Sequence, residues 1–436
     1  MRRLNLVAAV VVLLALVGSA LASSTSAKQV LVSRCTGSNA EVEQAVAGRY
    51  VYEAWIGCDH AIGFARSTNG GQTFGRARAV PGSTSAHYHG WDPALAVAPN
   101  GTVYVAYMID SLVASGQTMT KEMTPAVAVY TNHGRTFSRE RTLPVPAGPP
   151  NWGDRDFIAV GPTGTVYVTW DYGPRADEVR LLCSHGGSCA YAAGDFNAVV
   201  QKSTDGGRSW SSLTHISPAY PTGGVYSAPI VAEPNGNLDV LYIGHPTNPS
   251  TFKVSPGREY FTRSTDGGSK WSKPVAVDPG AGTISLPEWW IDGSLAVDSA
   301  GHLYATWDTQ GASDTAWLAR STNGGKTWSA PLRVTRSHGE NLVEVAAAGP
   351  GNVYVAWQTV VPRKGYATFV RRFAVGHGWT GPAVRASSAY GALKVWPGDT
   401  FGISTGAGAR ALLSWGSAVG GSKFSQIWAG GVSLPS

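Results

Sequence analysis

Carboxyl groups and tryptophans stand close together at several points of the 436-residue chain. Trp91 adjoins Asp92. Asp154, Arg155 and Asp156 follow Trp152. Glu288, Trp289, Trp290 and Asp292 form one run, and Asp399 closes Trp396-Pro-Gly-Asp399. This mixture suits sugar chemistry. Aromatic faces stack on the C–H faces of pyranose rings, while carboxyls bind hydroxyls or work in pairs across a glycosidic bond. Asp92, Glu288 and Asp292 are therefore the candidate catalytic groups. Trp91, Asp154, Arg155, Asp156, Trp290 and Asp399 are the candidate substrate-binding groups. Arg155 brings the positive charge of the set, and its guanidinium suits a substrate carboxylate held by two parallel hydrogen bonds. Regular strand alternation would point Asp154 and Asp156 away from it. The structural alternative is that these acids only tie down loops through local backbone hydrogen bonds. Cys183, His185 and Cys189 complete no standard zinc spacing, so no metal and no cofactor is expected.

A repeat positions these residues. Gly101-Thr-Val-Tyr-Val-Ala-Tyr107 recurs as Gly164-Thr-Val-Tyr-Val-Thr-Trp170, Gly301-His-Leu-Tyr-Ala-Thr-Trp307 and Gly351-Asn-Val-Tyr-Val-Ala-Trp357. Weaker copies begin at Gly236, Tyr50 and Ala411. Each is a turn glycine followed by a β-branched and aromatic strand. Counting back nine residues from each turn glycine, with Gly48 and Gly408 for the copies at Tyr50 and Ala411, reaches the start of the preceding strand. The count lands on Asn39, Asp92, Arg155, Ser227, Asp292, Leu342 and Asp399.

A second motif follows most copies: Ser67-Thr-Asn-Gly-Gly-Gln-Thr-Phe74, Tyr130-Thr-Asn-His-Gly-Arg-Thr-Phe137, Ser203-Thr-Asp-Gly-Gly-Arg-Ser-Trp210, Ser264-Thr-Asp-Gly-Gly-Ser-Lys-Trp271 and Ser321-Thr-Asn-Gly-Gly-Lys-Thr-Trp328. These segments resemble the Asp-box (BNR) repeat of sialidases and related β-propellers. Asn at three of the five acidic positions suits a turn acceptor and not an acid/base role, so Asp205 and Asp266 read as structural. Repeats of this kind point to an all-β fold, a single β-propeller of seven four-stranded antiparallel blades. The six-bladed sialidase type is the alternative. Val30 to Ser33 is a candidate outer strand for the last blade, which would close the ring and remove exposed sheet edges. The resemblance implies a glycoside hydrolase acting on extracellular glycans at an axial pocket. The Phe- or Tyr-Arg-Ile-Pro stretch that carries the first substrate arginine of sialidases is missing. A non-catalytic glycan- or protein-binding propeller is the alternative, and a lyase is a third reading.

Composition and targeting agree with this outline. Glycine numbers 54, tryptophan 16 and tyrosine 17, with only 14% charged residues, which excludes a disordered chain or a coiled coil. The net charge of +6 is scattered and forms no basic run, so no nucleic-acid partner is expected. Arg2 and Arg3 precede an apolar run from Leu4 to Val17 and an Ala20-Leu-Ala22 cleavage site. This reads as a signal peptide over 1–22, too short to span a membrane, followed by the propeller over 28–436. A secreted protein without membrane insertion, and a monomer, is the expectation. Export permits disulfides. Of the pairings open to four cysteines, Cys35–Cys58 and Cys183–Cys189 are expected, being nearest in sequence.

Overall fold

The computed structural model describes residues 25–26, 29–58, 61–85, 89–110, 114–115, 118–119, 123–183, 189–193, 196–218, 223–226, 228–246, 257–278, 293–309, 315–334, 340–406, 408 and 410–434. They form an all-β propeller of seven antiparallel blades, each starting with its inner strand. Blade 1 starts at Ala40–Ala47, blade 2 at His89–Val97 and blade 3 at Trp152–Val160. Blade 4 uses Ile230–Ala232, blade 5 Ser294–Val297, blade 6 Glu340–Ala347 and blade 7 Gly402–Gly406. Among the described residues the only helix is a single 3-10 turn, Ala176–Glu178, and no helix is long and apolar enough to cross a membrane.

The second strand of each blade shows why these segments pair. Val166–Gly173 is rich in β-branched and aromatic side chains and is buried along its whole length, because neighbouring blades cover both faces. The outer strand Thr136–Thr142 is largely exposed and polar. Buried apolar side chains gather into seven clusters among the described residues, one at each junction between adjacent blades. Trp55, Trp170, Trp307 and Trp415 are fully or almost fully buried in these clusters.

The last blade is completed by the N-terminal segment. Val30–Leu31 pairs with Trp428 and Ala429, and Thr25–Ser26 with Val432 and Ser433. Ser33 Oγ donates to Gln426 Oε1 at 2.7 Å. A disulfide between Cys35 and Cys58, with Cα atoms 4.9 Å apart, fastens this segment to blade 1.

The glycine turns share a hydrogen-bond pattern. Ser67, Ser203, Ser264 and Ser321 each donate to the Asn or Asp two residues on, and each accepts from the glycine N–H four residues on. Asn69, Asp205, Asp266 and Asn323 each accept the N–H of the residue four further along. The copy that starts with Tyr130 lacks the serine hydroxyl. There Asn132 and His133 both take left-handed backbone, and the His133 ring stacks on Tyr50 with centroids 4.4 Å apart.

Two long connections contribute strands. Ala114–Ser115 and Thr118–Met119 from blade 2 join Arg180–Cys183 and Cys189–Ala193 from blade 3 in one small sheet, through Thr118 opposite Arg180. It lies on the same face as the starts of the inner strands. Cys183 stands opposite Cys189 in its hairpin.

Candidate functional site

The starts of four inner strands share one backbone device. Register breaks occur between Ala40 and Val42, Trp91 and Ala94, Asp154 and Phe157, and Asn341 and Val343. Within these bulges Glu41, Asp92, Arg155 and Leu342 take left-handed backbone with φ of 50°, 46°, 50° and 53°. Non-glycine residues rarely adopt that conformation, and it concentrates where function over-determines the backbone. A bulge re-aims a side chain that a regular strand would alternate.

Three of these side chains meet Asp399 at the axis. Arg155 Nη2 lies 3.3 Å from Asp399 Oδ1, and Nη1 lies 3.8 Å from Asp92 Oδ1. Glu41, Asp92 and Asp399 each place one carboxyl oxygen within 4.8 Å of the others. Gly398 makes the approach feasible. It has φ of +105°, and a Cβ there would fall 2.2 Å from the backbone nitrogen of Glu41. Asp154 Oδ1 accepts the Arg155 N–H at 3.0 Å.

The cluster holds more acid than base in nearly dry surroundings. Burial first, then the neighbouring Asp399 and Asp92, raises the Glu41 carboxyl well above its ordinary range. Burial and the charge of Asp92 do the same to Asp154, with Arg155 opposing. Asp156 is raised by burial and then by Asp92. Asp399 is raised by burial, against the pull of Arg155 and a hydrogen bond with Glu41. Desolvation disfavours every charged carboxylate. Asp92 and Asp154 keep partial exposure, so these two open the cluster to solvent.

Two clefts flank the cluster. One is lined by Leu342, Gln358, Tyr366, Trp396 and Asp399. The other is lined by Thr36, Ile56, His89 and Trp91. Trp91 and Trp396 are 37% and 47% exposed, unlike the fully buried Trp152, which packs 4.7 Å from Phe196 in the core between blades 2 and 3.

Asp92, Asp154, Arg155 and Asp399 thus converge from three blades, with Trp91 at a cleft beside them. Asp156 is buried, and neither of its carboxyl oxygens has a hydrogen-bond partner among the described residues. The expectation that strand alternation separates Asp154 from Arg155 fails, because the bulge interrupts the alternation. The blade 1 count also fails. Asn39 is wholly buried and accepts from Trp55 Nε1 and the Cys58 N–H, as a structural tie. Glu41 holds the axial position because the first turn has only Gly48 and Arg49 between its strands, and so is shorter than the others. Glu288, Trp290 and Asp292 lie outside the described residues.

The chain matches no model of a known protein family and no curated protein. Solved structures resemble it in fold. A protein of unknown function from Dyadobacter fermentans aligns with a TM-score of 0.53 at 15% identity over 80% of this chain and 96% of its own. The NanB sialidase of Streptococcus pneumoniae aligns at 0.52 and 9% identity, over 87% of this chain and 83% of its own. A polysaccharide lyase, the PL25 ulvan lyase, aligns at 0.55 and 13% identity, over 93% and 96%. The described chain is therefore a seven-bladed propeller whose structural neighbours include glycan-active enzymes.

Proposed function

We propose that this chain is an exported, sialidase-like glycoside hydrolase that acts on extracellular glycans at the axial site. The observation that carries the reading is the contact of Asp92 with Asp154 at the solvent-facing side of the cluster, beside Arg155. Burial first, then the charge of Asp92, raises the Asp154 carboxyl, which suits the pair to give a proton to the leaving glycosidic oxygen. Glu288 or Asp292, both outside the described residues, is the candidate for the second carboxylate, which would stabilise or attack the sugar carbon. Trp91 and Trp396 offer stacking faces at the flanking clefts. Glycan-active neighbours and the Cys35–Cys58 disulfide are compatible with this reading.

A binding propeller is the second reading. One observation favours it: Arg155 is already engaged by Asp92 and Asp399, which leaves less of its guanidinium for a substrate anion.

The test is a panel of aryl glycosides, including sialosides, and acidic polysaccharides, with released sugar as the readout. Turnover is expected for the wild-type protein, and Asp92→Asn is expected to reduce it by about 10²–10⁴-fold, the usual worth of a general acid. Glycan-array binding by a wild-type protein that releases nothing from the panel would establish the binding reading instead.

A further inference from the structure

We infer that the axial cluster is a site for one hard divalent cation of calcium size, held by Glu41, Asp92 and Asp399. The ligand atoms are all carboxylate oxygens from three successive blades, 7, 1 and 2, and they lie within 4.8 Å of one another. A calcium ion sits about 2.3–2.6 Å from each oxygen, so oxygens this close together are near the spacing one ion spans. Magnesium, at about 2.0–2.1 Å, needs a tighter and octahedral set. An oxygen-only set also selects against softer metals.

Glu41 supplies the observation that points to a ligand. It is 3% exposed, and its Oε2 has no hydrogen-bond partner among the described residues. A buried carboxylate oxygen left in that state is costly. Charge points the same way: Glu41, Asp92 and Asp399 outnumber the one guanidinium beside them, so a divalent cation there meets more acid than base. Arg155 approaches the Oδ1 atoms of both Asp92 and Asp399. It thereby fixes these carboxylates in place. The left-handed backbone at Glu41 and Asp92 and the glycine at 398 hold the groups at this separation before any ion arrives. No sequence spacing announces such a site, because its ligands come from three blades and no two are neighbours in the chain.

The inference concerns binding and stands whether or not the site turns over a glycan. Isothermal titration of the chelator-treated mature protein with CaCl₂ is expected to give one site, with Kd at about 10⁻⁵–10⁻³ M. The melting temperature should rise with calcium. Glu41→Gln should weaken binding at least tenfold while melting normally in chelator. Asp399→Asn is the second variant, should the first not fold. Absence of heat and of thermal stabilisation with CaCl₂ would overturn the site, as would binding that both variants leave unchanged. Turnover by chelator-treated protein would leave the hydrolase reading standing, and loss of calcium binding would not touch it.

Discussion

Arg155, from the inner strand of blade 3, places its Nη2 3.3 Å from Asp399 Oδ1 of blade 7, and so links non-adjacent blades at the axis. The guanidinium side chain is 8% exposed and the carboxylate 11%. Both charges are thus largely removed from water, where breaking a pair costs more than the pair contributes.

Arg155→Ala is expected to lower unfolding stability by about 3–5 kcal/mol, because Asp92 and Asp399 are left without their counter-charge. The midpoint of urea unfolding measures this. An unchanged midpoint would mean that protonation of the acids fully compensates for the lost cation.

Glu53 reports on the seam between blades 7 and 1. It is fully buried and accepts from Gln44 Nε2 at 2.8 Å, and its second oxygen has no partner among the described residues. Burial pushes its carboxyl up to about 8. In the unfolded chain it ionises near pH ~4.3. Between those values the native state keeps a proton that the unfolded state has lost, so stability falls as the pH rises through that window and levels off above it. Glu53→Gln should remove this component. The variant should then be the more stable by a few kcal/mol at pH 8, since each tenfold difference in proton affinity between the two states is worth about 1.4 kcal/mol. Parallel pH profiles of the two proteins would sink the assignment.

The turn acids behave in the opposite sense. Hydrogen bonds from Ser209 and from Ser203 hold the Asp205 carboxyl well below its ordinary range, and the Lys270 N–H and the Ser264 hydroxyl do the same for Asp266. The stability they contribute is present above about pH 4 and is lost as the pH falls further. Asp205→Ala and Asp266→Ala are each expected to lower the melting temperature at pH 7. Asp205→Asn should be milder, since Asn69 and Asn323 make the same turn. Activity per folded molecule should survive in all three. Abolished turnover at wild-type melting would make the turn a catalytic element.

A second disulfide, Cys183–Cys189, is expected. Directly opposed residues of an antiparallel pair have Cα atoms about 4.5–5.5 Å apart, within the disulfide range of about 4.4–6.8 Å. Peptide mapping without reduction should recover a fragment carrying this bridge besides Cys35–Cys58. Alkylation of either cysteine in the unreduced protein would disprove it.

The repeat was legible because each blade writes its own glycine turn and aromatic strand into contiguous sequence. Gly101 to Tyr107 and Gly351 to Trp357 announce strands that tertiary packing has no need to override. Ring closure was legible as well, from the single outer strand wanting in the last repeat and the short apolar segment at Val30. The axial residues were partly legible. Asp92, Arg155 and Asp399 sit at one fixed distance from a turn glycine, whereas Glu41 escaped because its turn is shorter. The left-handed bulges escaped too, since each depends on contacts between blades, such as Gly398 against Glu41, that no local pattern encodes. The small sheet shared by the loops of blades 2 and 3 has the same origin: its strands are only two to five residues long and find partners only once the ring has formed.

Ring closure also sets a timetable. Val30–Leu31 and Thr25–Ser26 wait, from early in synthesis, for a partner strand that ends at Ser433. Six blades can assemble in order, yet the seventh stays incomplete until Gln426–Ser433 has been made. Until then the nascent protein carries unpaired strand edges, the kind that invite intermolecular pairing. A chaperone that shields the early segment, or slower translation of the final blade, would therefore alter yield without altering the finished molecule.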